Sequence, residues 1–248
     1  MLKLNRFSLL VCLISLFTFS VQAQADQFNS KGEVQIDAEV KHAFEIDAAR
    51  LALRNMGNLD QVSIALEPKQ WQIYYDLLIN IYQQDELSKD LVDCGMHTST
   101  DPSVDYIELI YRRDIEWAKP IQEGVTSTNE PVINRLMEEY NLLIQSNSAT
   151  DYEHDALVIR AARPLNMSAL INELQQVEGI SSINLVRPSA TVRTDIKVEQ
   201  IKSGWKVIYS LEYGNNGYHS WSYYVPNTGR VKFISEKGDP LPVGWSCQ

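Results

Sequence analysis

The sequence predicts an α+β protein: amino-terminal helices, a β-α-β-β-α-β ferredoxin-like middle and a carboxyl-terminal antiparallel β-meander. Three observations predict it. Apolar residues recur at helical spacing up to residue 92; two strand-helix-strand patterns then follow in tandem; and from residue 191 the pattern turns to strict alternation broken by Gly/Asn turns.

In chain order, the first 23 residues read as a signal peptide, with cleavage after Ala25 as the alternative. Lys3 and Arg6 precede an apolar run from Phe7 to Val21, and small residues follow at Ala23 and Ala25. A retained anchor needs about 20 apolar residues, more than this run holds. Acylation at Cys12 is disfavoured because Val11 is bulky and the preceding apolar stretch is short. Residues 24 to 36 form a polar lead-in.

The helical region spans 37–95. Val40, Phe44, Ala48, Leu51 and Met56 mark one helix, with Gly57 as its stop. Pro68 opens a second, where a missing N–H costs nothing, and Trp71, Tyr74, Tyr75, Leu78, Ile81 and Tyr82 form its stripe, read as a core face packed on the first helix. A short third helix runs from Glu86 to Val92.

The ferredoxin-like unit spans 96–190. Strands are expected at Tyr106–Tyr111, Leu142–Gln145, 156–162 and Ile180–Val186. One helix is expected after Asn129 as cap, burying Val132, Leu136 and Tyr140; the other follows Asn166, buries Met167, Leu170, Ile171, Leu174 and Val177, and stops at Gly179. Ser146 to Asp155 reads as a polar loop, and the long link from Arg112 to Asn129 has room for a short helix.

The last region, 191–248, reads as four strands and a carboxyl-terminal strap. Trp205, Val207, Tyr209, Leu211 and Tyr213 share one strand face, and Trp221, Tyr223 and Val225 share another. Faces this aromatic need a cover, and the amino-terminal helices are expected to supply it. The string Ser222-Tyr223-Tyr224-Val225-Pro226-Asn227-Thr228-Gly229-Arg230-Val231 resembles the closing hairpin of PepSY-type domains, small exported modules associated with proteases and their propeptides. The helix those domains place before their strands has no counterpart, since residues 191 to 203 read as extended, so no residue or function is carried over.

Charge bounds the partners. The chain has 22 basic and 32 acidic residues; removing Lys3 and Arg6 leaves 20 − 32 = −12. That balance argues against nucleic acid and anionic membrane, and no membrane span remains after cleavage. Cys94 and Cys247 are then the two cysteines left, and an oxidising compartment favours a disulfide between them. It would close a loop of about 150 residues, worth at most ~5 kcal/mol in the loop-entropy model.

No motif carries chemistry. His42, His97, His154 and His219 are widely separated, and Cys94-Gly95-Met96-His97 is half of a zinc-like pair without its other half. Asp151, Glu153, His154 and Asp155 crowd one loop but lack the acidic spacing and fixed glycine of a calcium loop. Glu45 with Asp47, and Glu138 with Glu139, stand at spacings that belong to exposed helix faces. Nucleophile-elbow, metalloprotease and phosphate-loop patterns are absent. The expectation is therefore no cofactor, no metal and no catalytic residue, with an unknown protein or small ligand as partner. The leading reading is an exported binding module, an inhibitor or accessory of another extracytoplasmic protein, because an open sheet edge or rigid loop can dock a partner. The alternatives are a carboxylate-dependent hydrolase assembled across the fold and a structural envelope component.

Overall fold

The described residues form two four-stranded antiparallel sheets, each covered by helices. The computed structural model describes residues 36–56, 63–185, 192–214 and 216–242. The expected signal peptide, Gly57 and Cys247 lie outside the described residues.

Helix α1 (Ala38–Met56) buries Phe44, Ala48 and Leu51 at the predicted spacing, with Ala49 and Ala52 fully enclosed as well. Small residues there let α2 (Pro68–Gln84) pack alongside. Helix α2 starts at Pro68 and encloses Leu77, Leu78 and Ile81, while its tyrosines are half-buried at the margin of the core. Helix α3 (Glu86–Asp93) is capped by Asp85, whose carboxylate accepts the Ser88 N–H at 2.8 Å.

The first sheet contains β1 (Tyr106–Arg112), β2 (Leu142–Ala149), β3 (His154–Ala161) and β4 (Ile180–Leu185) in the order β2-β3-β1-β4, antiparallel throughout. That is the ferredoxin-like arrangement the two tandem units predict. Helices α5 (Pro131–Glu139) and α6 (Met167–Leu174) cover one face, where Ile133, Leu136, Leu170 and Leu174 meet Ile107, Leu109, Leu157 and Ile159. The long link holds a 3₁₀ turn (Glu116–Ala118) and a single turn of helix, α4 (Lys119–Gln122); Trp117 from it is buried, its ring 5.1 Å from that of Tyr111, and its indole N–H donates to the Glu178 carbonyl at 2.8 Å. Gly179 has φ +84°, and a Cβ there would lie 2.7 Å from Ile115, so both the turn and the close approach require glycine.

Two expectations need correcting in this unit. The cap of α5 is Glu130, whose side chain accepts the Val132 N–H at 3.1 Å; Asn129 instead gives its N–H to the Trp117 carbonyl, and Ile133 rather than Tyr140 is the enclosed partner of Leu136. The stretch from Ser146 is not a loop. It continues β2 to Ala149, and β3 begins at His154, because polar Ser146 and Ser148 stand exposed on an edge strand, where alternation gives no apolar signal.

The second sheet is the predicted meander: β5 (Val192–Ile201), β6 (Gly204–Tyr213), β7 (Gly217–Pro226) and β8 (Lys232–Gly238), paired in sequence order. Its inner face carries Ile196, Val207, Tyr209, Leu211, Trp221, Tyr223 and Val225, and the cover comes from Phe44, Leu51, Leu77, Leu78, Ile81 and Leu91 of α1 to α3. Helices near residue 50 and strands near residue 210 therefore share one core, with the ferredoxin-like unit inserted between them. None of the helices among the described residues is long and apolar enough to cross a membrane.

Candidate functional site

Polar groups concentrate along α1, at the seam where it meets the segment after α3 and the start of β5. Asp47 lies on the side of α1 turned inward, fully buried, which overturns its expected place on an exposed helix face. Its carboxylate accepts the Thr98 N–H at 2.8 Å and the Thr98 hydroxyl at 2.6 Å, and lies 2.8 Å from His97 Nδ1. A buried carboxylate is tolerated only with this kind of saturation. Glu45, by contrast, is half-buried and pairs loosely with His42 at 3.5 Å.

One turn along, Arg50 is buried and reaches Asp105 at 3.4 Å; burial, the largest influence, pulls its guanidinium pKa down, while Asp105 and Asp47 oppose that pull. Its Nε has no partner among the described residues. A further turn brings Arg54, which donates to the carbonyls of Ser99 and Asp101, the Ser99 hydroxyl and the Asp195 carboxylate at 2.7 Å. Asp195 also accepts the Ser99 N–H at 3.0 Å. Arg54, Ser99 and Asp195 line a cleft of about 450 Å³, but Arg54 is spent on five acceptors, the Ile196 carbonyl being the fifth, and Asp195 accepts from Arg54 and Ser99. The seam is a clamp that pins α1 to the segment 97–105 and to β5. Among the described residues no Ser, Thr or Cys side chain hydrogen-bonds the second ring nitrogen of His97.

The acidic loop divides in the same way. Asp155 belongs to β3, is buried, and takes a 2.8 Å ion pair from Arg113 together with a 3.2 Å hydrogen bond from Gln122. Asp151 sits on the exposed turn, where its carboxylate accepts the N–H groups of Glu153 and His154 at 2.7 Å; those bonds depress its pKa. Glu153 faces solvent, and His154 pairs with Asp151 at 3.2 Å. Among the described residues no three His, Cys, Asp or Glu side chains converge on a metal position. His219, on β7, lies 2.6 Å from the Asp239 carbonyl and 2.9 Å from Glu236, with its ring 4.6 Å from Trp221. Cys94 ends α3, and its proposed partner Cys247 is outside the described residues.

No protein-family model matches the chain, and no curated protein or solved structure is detectably similar to it.

What remains is the rim of the sheets. The second sheet ends in strands laced with charge: Arg193, Asp195, Lys197 and Glu199 on β5, and Lys232, Glu236 and Lys237 on β8. Edge charges of this sort block the pairing of a foreign strand. The first sheet ends in β2, reading Leu-Leu-Ile-Gln-Ser-Asn-Ser-Ala, and β4, reading Ile-Ser-Ser-Ile-Asn-Leu, with no charged residue and no proline in either. Leu143 on β2 is 47% exposed, and Gln145, Ser146 and Ser148 are exposed beside it. Helix α5, which packs next to β2, presents exposed Glu138 and Glu139. Sequence reading named an open sheet edge as a docking device but could not place it, since which strand is outermost depends on long-range pairing.

Proposed function

We propose that this is an exported, non-enzymatic interaction module, with Cys94 and Cys247 paired, that binds an extended segment of another extracytoplasmic polypeptide by strand addition at β2. The observation that carries this reading is the contrast in edge chemistry: β2 is the longer of two unguarded edges in a chain whose other sheet guards both of its own. An added strand would satisfy the outward backbone groups of β2 and lay a side chain against Leu143. The formal charge of −10, with Glu138 and Glu139 beside the edge, favours a partner segment carrying Lys or Arg.

A random-peptide library panned on the purified chain tests the reading. Enriched peptides should alternate apolar residues with Lys or Arg and should slow amide exchange in β2. The double variant Ser146→Lys, Ser148→Lys alters only exposed side chains. It should weaken those peptides by about tenfold or more with an unchanged thermal midpoint. Peptides that bind the variant as well as the natural chain, or that protect β4 or β8 instead, would overturn it.

A further inference from the structure

We propose a second binding site, independent of β2, at the hairpin end of the second sheet, and assign it a neutral polyhydroxylated ligand of the sugar class. A cavity of about 470 Å³ lies there, lined by Arg193, Glu212, Tyr213, Gly214, Asn216, Gly217 and Tyr218. That volume falls within the roughly 300–1,000 Å³ of small-molecule sites.

The register explains the arrangement. Arg193 of β5 stands opposite Glu212 of β6, and Glu212 stands opposite Tyr218 of β7. A guanidinium, a carboxylate and a phenol ring therefore form one row on one face, with about 5 Å between neighbours. Neither Arg193 nor Glu212 has an ion-pair partner among the described residues, although they face each other across the ladder. Tyr218 keeps 42% of its surface exposed.

The surroundings of the row are fixed. In the next row, on the opposite face of the sheet, Tyr213 lies over Gly217, where a Cβ would come within 2.5 Å of the ring, so the absent side chain makes room for it. The Tyr213 hydroxyl donates to the Pro240 carbonyl at 2.6 Å. Asp239 grips the start of β7 from both sides: its carboxylate accepts the Tyr218 N–H at 3.1 Å, and its own N–H donates to the Tyr218 carbonyl at 2.8 Å. A pocket held in this way loses little conformational entropy on binding.

The chemistry selects the ligand class. An apolar ligand would desolvate Arg193 and Glu212 with nothing to pair them. An anion or a cation would match one of the two charges and oppose the other. A neutral molecule with adjacent hydroxyls can accept from the guanidinium and donate to the carboxylate at once, while its C–H face rests on the Tyr218 ring. Sugars have that combination.

The experiment uses an array of neutral glycans with sialylated and sulfated glycans as controls, followed by calorimetric titration of the strongest neutral binder. Neutral glycans should bind and charged ones should not. Arg193→Ala, Glu212→Ala and Tyr218→Ala should each weaken binding by about tenfold or more. Tyr218→Phe should retain it, since the ring supplies the contact. Peptide binding at β2 should be unaffected in all four variants, which separates failure of this site from failure of the strand-addition reading. The absence of any neutral binder, a preference for charged glycans, or full binding by a folded Arg193→Ala, Glu212→Ala double variant would overturn the proposal; circular dichroism and the thermal midpoint report folding.

Discussion

The two sheets close their cores by different routes. The ferredoxin-like sheet is roofed by α5 and α6, each encoded between the strands it covers, and most of its core lies between Ile107 and Val177. Among the described residues the meander has no helix of its own and depends on α1 to α3, about 100 residues or more upstream. A local roof forms with modest loop closure, whereas a distant one needs the chain to return across an entire inserted unit. The clamp along α1 belongs to that second problem: Asp47, Arg50 and Arg54 tie the roof to residues 97–105 and to β5, so that the aromatic face of the meander meets its cover in one orientation. The lesson extends to the rims. The sheet with a local roof leaves its edges chemically open, and the sheet with a borrowed roof guards both edges with charge.

The largest effect expected is the separation of the two sheets when the roof is removed. A chain lacking α1 should keep slow amide exchange in β1 and β3 and lose it in β6 and β7, because Phe44 and Leu51 belong to the second core and not to the first. Equal loss in both sheets would mean that they fold as one cooperative unit and would break the comparison.

Next in size is the clamp. Asp47→Ala leaves Thr98 and His97 without their acceptor inside the protein, at a cost of about 3 kcal/mol by chemical denaturation. Glu45→Ala, two residues away and half-exposed, should change stability by less than about 0.5 kcal/mol. Similar costs for the two would show that burial of Asp47 does not matter.

The smallest effect sharpens the picture of the second core itself. Tyr223 donates to Asp85, the cap of α3, at 2.9 Å, whereas the neighbouring Tyr209 hydroxyl is buried with no partner among the described residues. Tyr223→Phe should therefore cost about 1–2 kcal/mol, and Tyr209→Phe should cost nothing or stabilise slightly. Burial raises the pKa of both phenols, and in Tyr223 the bond to Asp85 adds to the rise. Above about pH 10 the unfolded chain loses these protons and the folded chain retains them, so stability should fall as pH rises, by up to about 1.4 kcal/mol per pH unit for each tyrosine. Tyr209→Phe should flatten that fall in an alkaline unfolding series, and an unchanged slope would count against the shift.

Much of the fold was legible in the chain because it is written in local period. The stripe of α2, the Pro68 start, the Asn166 cap and the alternating faces of β6 and β7 all stand where spacing puts them. The misreadings have separate causes. The tail of β2 is polar because it is an edge, so period and propensity both called for a loop. The Asn129 cap failed because Glu130 alongside could reach the same helix end, and a single sequence does not rank two neighbouring acceptors. Asp47 looked like one more exposed acid on a helix, since the groups that bury it, His97 and Thr98, lie about 50 residues away.

The sequence by itself determined the kinds of element, their order and the aromatic faces that needed a cover, because these follow from side-chain period along a strand or helix. Only the tertiary structure decided which carboxylates are enclosed, which strands stand outermost, and that Arg193, Glu212 and Tyr218 share a row. Each of those facts depends on which distant backbone pairs with which, and no local pattern encodes that pairing.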